Sequence, residues 1–223
     1  MTKDSEISRK EVLRISHYIL QTKVLGPFLR SALWVSGCPF QCEGCLAKEM
    51  NERAPVCADT SRLAELFATV QGTEGITISG GEPFEQAQAL AKLLKQIRAK
   101  RDYGVIIYTG YTIEELQEKK EAGIRDLLSQ TDLLIDGRYQ ISLDDGQAYR
   151  GSSNQRILPL SERYRDVWEP YYHTKEKRKM EIRVENGKLY MIGVPSENGL
   201  NTWRELRQKM QKTEGIDFDD ADI

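Results

Sequence analysis

The chain has 223 residues, 39% hydrophobic and 30% charged, which suits one ordinary domain with a modest appendage. A formal charge of -2 leaves no basic surplus, which excludes a broad nucleic-acid footprint. Apolar runs all fall short of the ~20 residues of a membrane span, and no signal-peptide core is visible, so a cytoplasmic protein without membrane or nucleic-acid partners is expected.

In chain order, residues 1–10 are polar and mixed in charge. Residues 29–37 read as a strand leading into a loop that carries three of the four cysteines. Leu63, Leu66, Phe67 and Val70 recur at helical spacing, and residues 75–79 form a short strand of the buried type. Ala87, Leu90, Ala91, Leu94 and Ile97 make the next helical stripe, followed by a strand over 103–108. Thr112 and Glu115 have capping-box spacing at the start of another helix, and residues 132–135 are again a strand. Strands separated by helices of this length predict parallel pairing with right-handed crossovers, an α/β fold in the form of a partial (β/α) barrel.

After about Leu160 the pattern changes. Residues 164–179 are aromatic and charged, as in a linker. Two strands, 180–184 and 188–194, flank Asn186-Gly187, a hairpin turn signal, and a short helix over 201–210 precedes an acidic tail at 217–222. The expected division is a core domain over 1–160 and a small extension over 161–223 made of linker, hairpin, helix and tail.

The chemistry concentrates in Cys38-Pro-Phe-Gln-Cys42-Glu-Gly-Cys45. Three cysteines within eight residues of a cytosolic chain read as metal ligands rather than a disulfide framework. Thiolates suit iron–sulfur clusters or zinc. Three ligands on a four-iron cubane leave one iron open to a substrate, whereas closure by Cys57 would make a zinc knot or a plain electron carrier. Cys57 is otherwise expected as a small buried side chain. With only His17 and His173 in the chain, a histidine-based triad has little support.

Cys38-x3-Cys42-x2-Cys45 after a strand, with Gly80-Gly81-Glu82-Pro83 after another, resembles the radical S-adenosylmethionine superfamily. Residues 33–45, Tyr108-Thr109-Gly110-Tyr111, residues 133–138 and residues 150–157 narrow the resemblance to activating proteins of anaerobic ribonucleoside-triphosphate reductase, over about residues 18–160. The resemblance implies an enzyme in which Cys38, Cys42 and Cys45 hold a 4Fe–4S cluster whose fourth iron chelates S-adenosylmethionine. It implies that Gly44, Cys45 and Leu46 border that cofactor, that Gly80 and Gly81 admit its methionine end, and that Glu82 faces its ammonium group. Tyr108, Thr109, Gly110, Asp136 and Gly137 either line the cleft or merely form turns. Residues 150–157 either shape the substrate side or form an ordered loop.

Two departures stand out. Phe28 occupies a place where the family's Gly-Pro-Gly-x-Arg has glycine, and the chain continues about 65 residues past the 150–157 segment. The resemblance further implies a flavodoxin- or ferredoxin-like electron donor and a polypeptide substrate. That substrate is a glycyl radical enzyme or, for a splicease-like maturase, a ribosomally made precursor peptide. The extension then serves either to dock a peptide or partner subunit or to pack against the barrel's side. A non-catalytic electron carrier is the third reading.

Overall fold

The computed structural model describes residues 12–52, 54–168, 177–185 and 188–214. The N-terminal decapeptide, Asn186-Gly187, Tyr171, Tyr172, His173 and the acidic tail lie outside the described residues. Seven strands form one sheet: β1 (Val12–Thr22), β2 (Arg30–Val35), β3 (Val56–Asp59), β4 (Gly75–Gly80), β5 (Gly104–Tyr108), β6 (Leu133–Asp136) and β7 (Arg156–Pro159). Their order is β3-β1-β2-β4-β5-β6-β7. The centre, β2-β4-β5-β6, is parallel, and β1, β3 and β7 pair antiparallel on its flanks.

The parallel centre reads as continuous apolar strands because both faces are covered. On one face α2 (Thr60–Thr69), α3 (Ala87–Arg98) and α5 (Ala122–Leu128) bury Leu63, Phe67, Leu90, Leu94, Ile97, Ile124 and Leu127 against Leu33, Val35, Ile76, Ile78, Val105 and Ile107. Asp59 caps α2 by accepting from Ser61 and Arg62 N–H, and the expected capping box of Thr112 and Glu115 opens α4 (Ile113–Glu118). The opposite face carries Ile106, Leu133, Ile135 and Ile157 under Ala148, Tyr164 and Trp168, while Ile19 and Ala32 pack with Leu25 and Ile192.

The α/β expectation is thus met by one large, mostly parallel sheet with β3 and β7 as its edges. Sequence reading missed β1, β3, β7, α5 and the short α1 (Lys48–Glu52). In β1, register shifts between Ile15 and His17 and between Ile19 and Thr22 break the two-residue alternation that would have exposed it as a strand. The hairpin β8 (Met180–Glu185) and β9 (Lys188–Gly193) and the helix α6 (Glu197–Glu214) are present, α6 being longer than expected at both ends. Among the described residues no helix is long and apolar enough to cross a membrane.

Candidate active site at the carboxyl edge of the sheet

Parallel strands collect the loops that leave them at one edge, and α/β proteins bind ligands there. At that edge the cysteine loop follows β2, the Gly-Gly-Glu-Pro turn follows β4, residues 109–112 follow β5, and residues 137–143 follow β6. The turn after β4 lies directly against the entry to the cysteine loop. Gly81 N–H donates to Val35 C=O (2.7 Å) and Glu82 N–H to Gly37 C=O (2.8 Å). A Cβ at Gly81 would stand 2.2 Å from the Gly37 oxygen, and one at Gly80 2.5 Å from the Val35 oxygen. This chain's own backbone therefore fills the space that glycine frees on that side, and Gly80 adds a φ of 100°, a backbone region L side chains rarely adopt.

The three cysteines share one short loop. Cys38 is exposed, Cys42 and Cys45 are half-buried, and Cys45 N–H donates to Cys42 C=O (3.3 Å). Desolvation by the loop packed behind it pushes the Cys38 thiol up to about 11, the Phe40 N–H opposing and the charges of Glu82, Cys45 and Cys42 adding to the rise. Cys45 is also raised, chiefly by burial, with the Ala47 N–H opposing. Crowded thiols of this kind resist ionising alone and ionise readily on a cation. Among the described residues no three His, Cys, Asp or Glu side chains converge on a point fit for a single ion. Three soft thiolate donors in one short loop, two of them with a backbone N–H at the sulfur, suit an iron–sulfur cluster.

Cys57 is not the buried side chain expected: it is exposed on the edge strand β3, opposite Arg14 of β1. The four-residue β3 has its first two side chains, Val56 and Cys57, turned to solvent, so the local apolar pattern there marks an edge and not a core.

Around the loop, Gly44 adopts a φ of 72° and meets Ile141 and Tyr139, while Leu46 is half-buried. Phe40 packs edge-on against Tyr111 at 4.8 Å, abuts Gly110, and is covered by the Arg138 guanidinium at 4.6 Å. Glu82 is 1% exposed and ties two of the loops together. It accepts from Phe84 N–H (2.9 Å), Thr109 Oγ1 (2.8 Å) and Gly110 N–H (2.8 Å). Burial raises its pKa to about 7 against these hydrogen bonds.

Asp136, fully buried, accepts from Ile113 N–H (2.8 Å) and Arg156 Nε (3.0 Å), so both act in joining α4, β6 and β7. Residues 150–157 contain the start of β7 and a turn held by Gln155, whose Oε1 accepts from Gly151 N–H (2.7 Å) and whose Nε2 donates to Gly137 C=O (2.9 Å). Asn51 and Gln86, whose amides hold the peptide ahead of Cys38, carried no sequence signal. Their partners Gly37 and Ser36 lie 14 and 50 residues away.

The family profile described as a 4Fe-4S single cluster domain matches residues 24–158. The anaerobic ribonucleoside-triphosphate reductase-activating protein of Vibrio cholerae is 34% identical over 143 residues, covering 60% of this chain and 90% of that protein. The protein of the same name from Escherichia coli K12 is 32% identical over 61% of this chain and 92% of its own length. That of phage T4 is 29% identical over 60% and 86%. The crystal structure of QueE from Escherichia coli overlaps 48% of this chain and 58% of that one at 17% identity and a TM-score of 0.37, so the assignment rests on the sequence matches. The chain belongs to the 4Fe–4S single cluster domain family, alongside the anaerobic ribonucleoside-triphosphate reductase-activating proteins.

Proposed function

We propose that this chain is a radical S-adenosylmethionine activase, which takes a hydrogen atom from a glycine of an anaerobic ribonucleotide reductase. The observation that carries the reading is the three-cysteine loop at the carboxyl edge of a parallel sheet, in a chain that covers 90% of a reductase-activating protein. Cys38, Cys42 and Cys45 hold the cluster; Gly44, Cys45, Leu46 and the Gly80-Gly81-Glu82 turn border S-adenosylmethionine. Held by Cys38, Cys42 and Cys45, a reduced cluster would supply the electron for reductive cleavage of the cofactor's carbon–sulfur bond to methionine, and with it the 5′-deoxyadenosyl radical needed to take the hydrogen.

What the protein supplies is placement and exclusion of water. The turn after β4 anchors the entry of the cysteine loop, Glu82 fixes the loops after β4 and β5 to each other, and Phe40 plugs the gap above Gly110. Residues 1–160 form the catalytic core in this reading, wrapped as a partial barrel, and residues 161–223 its extension. The electron comes from a flavodoxin- or ferredoxin-like donor in the cytoplasm, where thiols stay reduced.

Anaerobic reconstitution tests the ligand set. Cys38→Ala, Cys42→Ala and Cys45→Ala should each lose the cluster and cofactor cleavage, while Cys57→Ala keeps both. Loss of the cluster in Cys57→Ala would overturn the open-iron reading. Activity is then assayed as glycyl radical formed on the reductase, against release of methionine without it.

A further inference from the structure

The peptide unit between Ser36 and Gly37 stands immediately ahead of the first cysteine, and both of its polar ends are held by side-chain amides. Its carbonyl accepts from Gln86 Nε2 (3.1 Å) and its N–H donates to Asn51 Oδ1 (3.1 Å). Gln86 comes from the 3-10 turn Pro83–Gln86 after β4, and Asn51 from α1, which follows Cys45. Neither amide has much freedom left. Gln86 also pairs both ways with the Arg14 backbone, accepting from its N–H (2.8 Å) and donating to its C=O (3.0 Å). Asn51 Nδ2 donates to Ala47 C=O (2.9 Å), so one side chain joins the residue before Cys38 to the second residue after Cys45.

We propose that Asn51 and Gln86 are positioning residues for the cluster, which set the plane of the Ser36–Gly37 peptide and so the placement of Cys38 against Cys42 and Cys45. The backbone cannot hold that plane alone. Gly37 has a φ of 93°, outside the region other residues would enforce, and glycine at such a value is free to turn away. The remaining polar groups of the pair are taken as well, Ser36 N–H by Arg14 C=O (2.9 Å) and Gly37 C=O by Glu82 N–H (2.8 Å), which leaves the two side-chain amides to fix the rotation of the peptide between them. Asn51 closes the cysteine loop at its two ends, and its amide oxygen sits where a Cβ on Gly81 would come within 2.7 Å. Cluster loop, closing helix and the turn after β4 thus meet at one amide.

The proposal rests on the cluster reading of the three cysteines. Its test compares reconstituted wild type, Asn51→Ala, Gln86→Ala and the double variant, following loss of the cluster's visible absorption to an iron chelator. The midpoint potential and apo-protein thermal midpoint are measured beside it. Each single variant should lose its cluster about tenfold faster, the low end of the loss usual when a supporting hydrogen bond to a metal site is removed. Because both side chains act through one peptide, the double variant should lose less than the product of the two effects. Asn51→Asp keeps an acceptor for Gly37 N–H and gives up the donor to Ala47, and should fall between wild type and Asn51→Ala. Wild-type lability in both single variants, or effects that multiply independently, would overturn the proposal, as would cluster loss that tracks a lowered apo-protein thermal midpoint with the potential unmoved. A wild-type protein that takes up no cluster would overturn the cofactor reading itself, which is a different result.

Discussion

Glu82 shows how far a single residue's role can be read from its neighbours. The motif marks it as a cofactor contact, but its oxygens already serve Phe84, Thr109 and Gly110. Its folded-state pKa of about 7 lies above the ordinary 4.5, so the stability it contributes is complete below about pH 4.5 and is lost as pH climbs through about 7. The apo-protein should therefore lose on the order of 3 kcal/mol at this site between pH 4.5 and 8. The raised cysteines titrate above that window, starting from 9.0, and do not obscure it. Thermal midpoints across pH should show a steeper fall in wild type than in Glu82→Gln; equal slopes would remove Glu82 as the source. A second test at this scale is Gly81→Ala, whose new Cβ would meet the Gly37 oxygen at 2.2 Å. Overpacking against backbone, which cannot swing aside, should lower stability by about 1–3 kcal/mol and reduce iron uptake. Unchanged denaturation with full iron content would show that the turn can move off the cysteine loop.

Among the elements, legibility followed contiguity. The cysteine loop, the turn after β4 and the capping box of α4 were readable because all their parts lie within a few residues of each other. The central strands were readable because a parallel sheet covered on both faces leaves short unbroken apolar runs. The flanking strands were not: β1 is broken by bulges, β3 shows two exposed side chains in four residues, and β7 was hidden inside a segment read as a loop. The loop before β2 was legible as a departure without its consequence. Phe28 has a φ of 62° and is 57% exposed, so the aromatic ring gains little packing and the backbone takes a conformation that disfavours any side chain. Arg30 nonetheless anchors the loop from its far end, its guanidinium bonded to Pro27 C=O (3.1 Å), Thr77 Oγ1 (2.9 Å) and Glu74 Oε2 (2.8 Å). Phe28→Gly should then stabilise the protein by about 0.5–1 kcal/mol, strain relief exceeding the added freedom of the unfolded chain. Chemical denaturation measures this directly, and a destabilised variant would mean that the ring contributes more than its exposure suggests.

For the molecule as a whole, the question left open by the sequence is whether the segment beyond residue 160 serves a substrate or the fold. Two of its aromatic residues, Tyr164 and Trp168, are 1% and 4% exposed and lie over Ile106 and Ile135. Tyr164 OH both receives a hydrogen bond from Arg30 Nη1 (2.9 Å) and donates one to Glu74 Oε2 (2.7 Å), at the base of the parallel sheet. The hairpin is fastened too. Tyr190 stacks on His17 at 4.8 Å, Glu181 accepts from Lys23 N–H (2.9 Å), and Ile192 covers Ile19, Leu25 and Ala32. On its outer side the hairpin carries α6 through Trp203, buried with Leu189 and Met191. Arg178 ties this part to the loop beside the cysteines, donating to the carbonyls of Arg150 (2.9 Å) and Gly151 (2.7 Å), and Gly151 in turn lies against the Tyr139 ring that borders Gly44. A chain ended after Arg165 would uncover Ile19, Leu25 and Ala32, against which Ile192 packs, and would take Trp168 from over Ile106 and Ile135. Each large aliphatic so exposed costs about 1.5–3 kcal/mol, and a few of them exceed the stability of an ordinary domain. The truncated protein should therefore aggregate, or bind a hydrophobic dye and take up little iron, when expressed and reconstituted beside the full chain. A monodisperse truncated protein with the full-length thermal midpoint and iron content would show that the extension is dispensable to the fold and return it to the substrate.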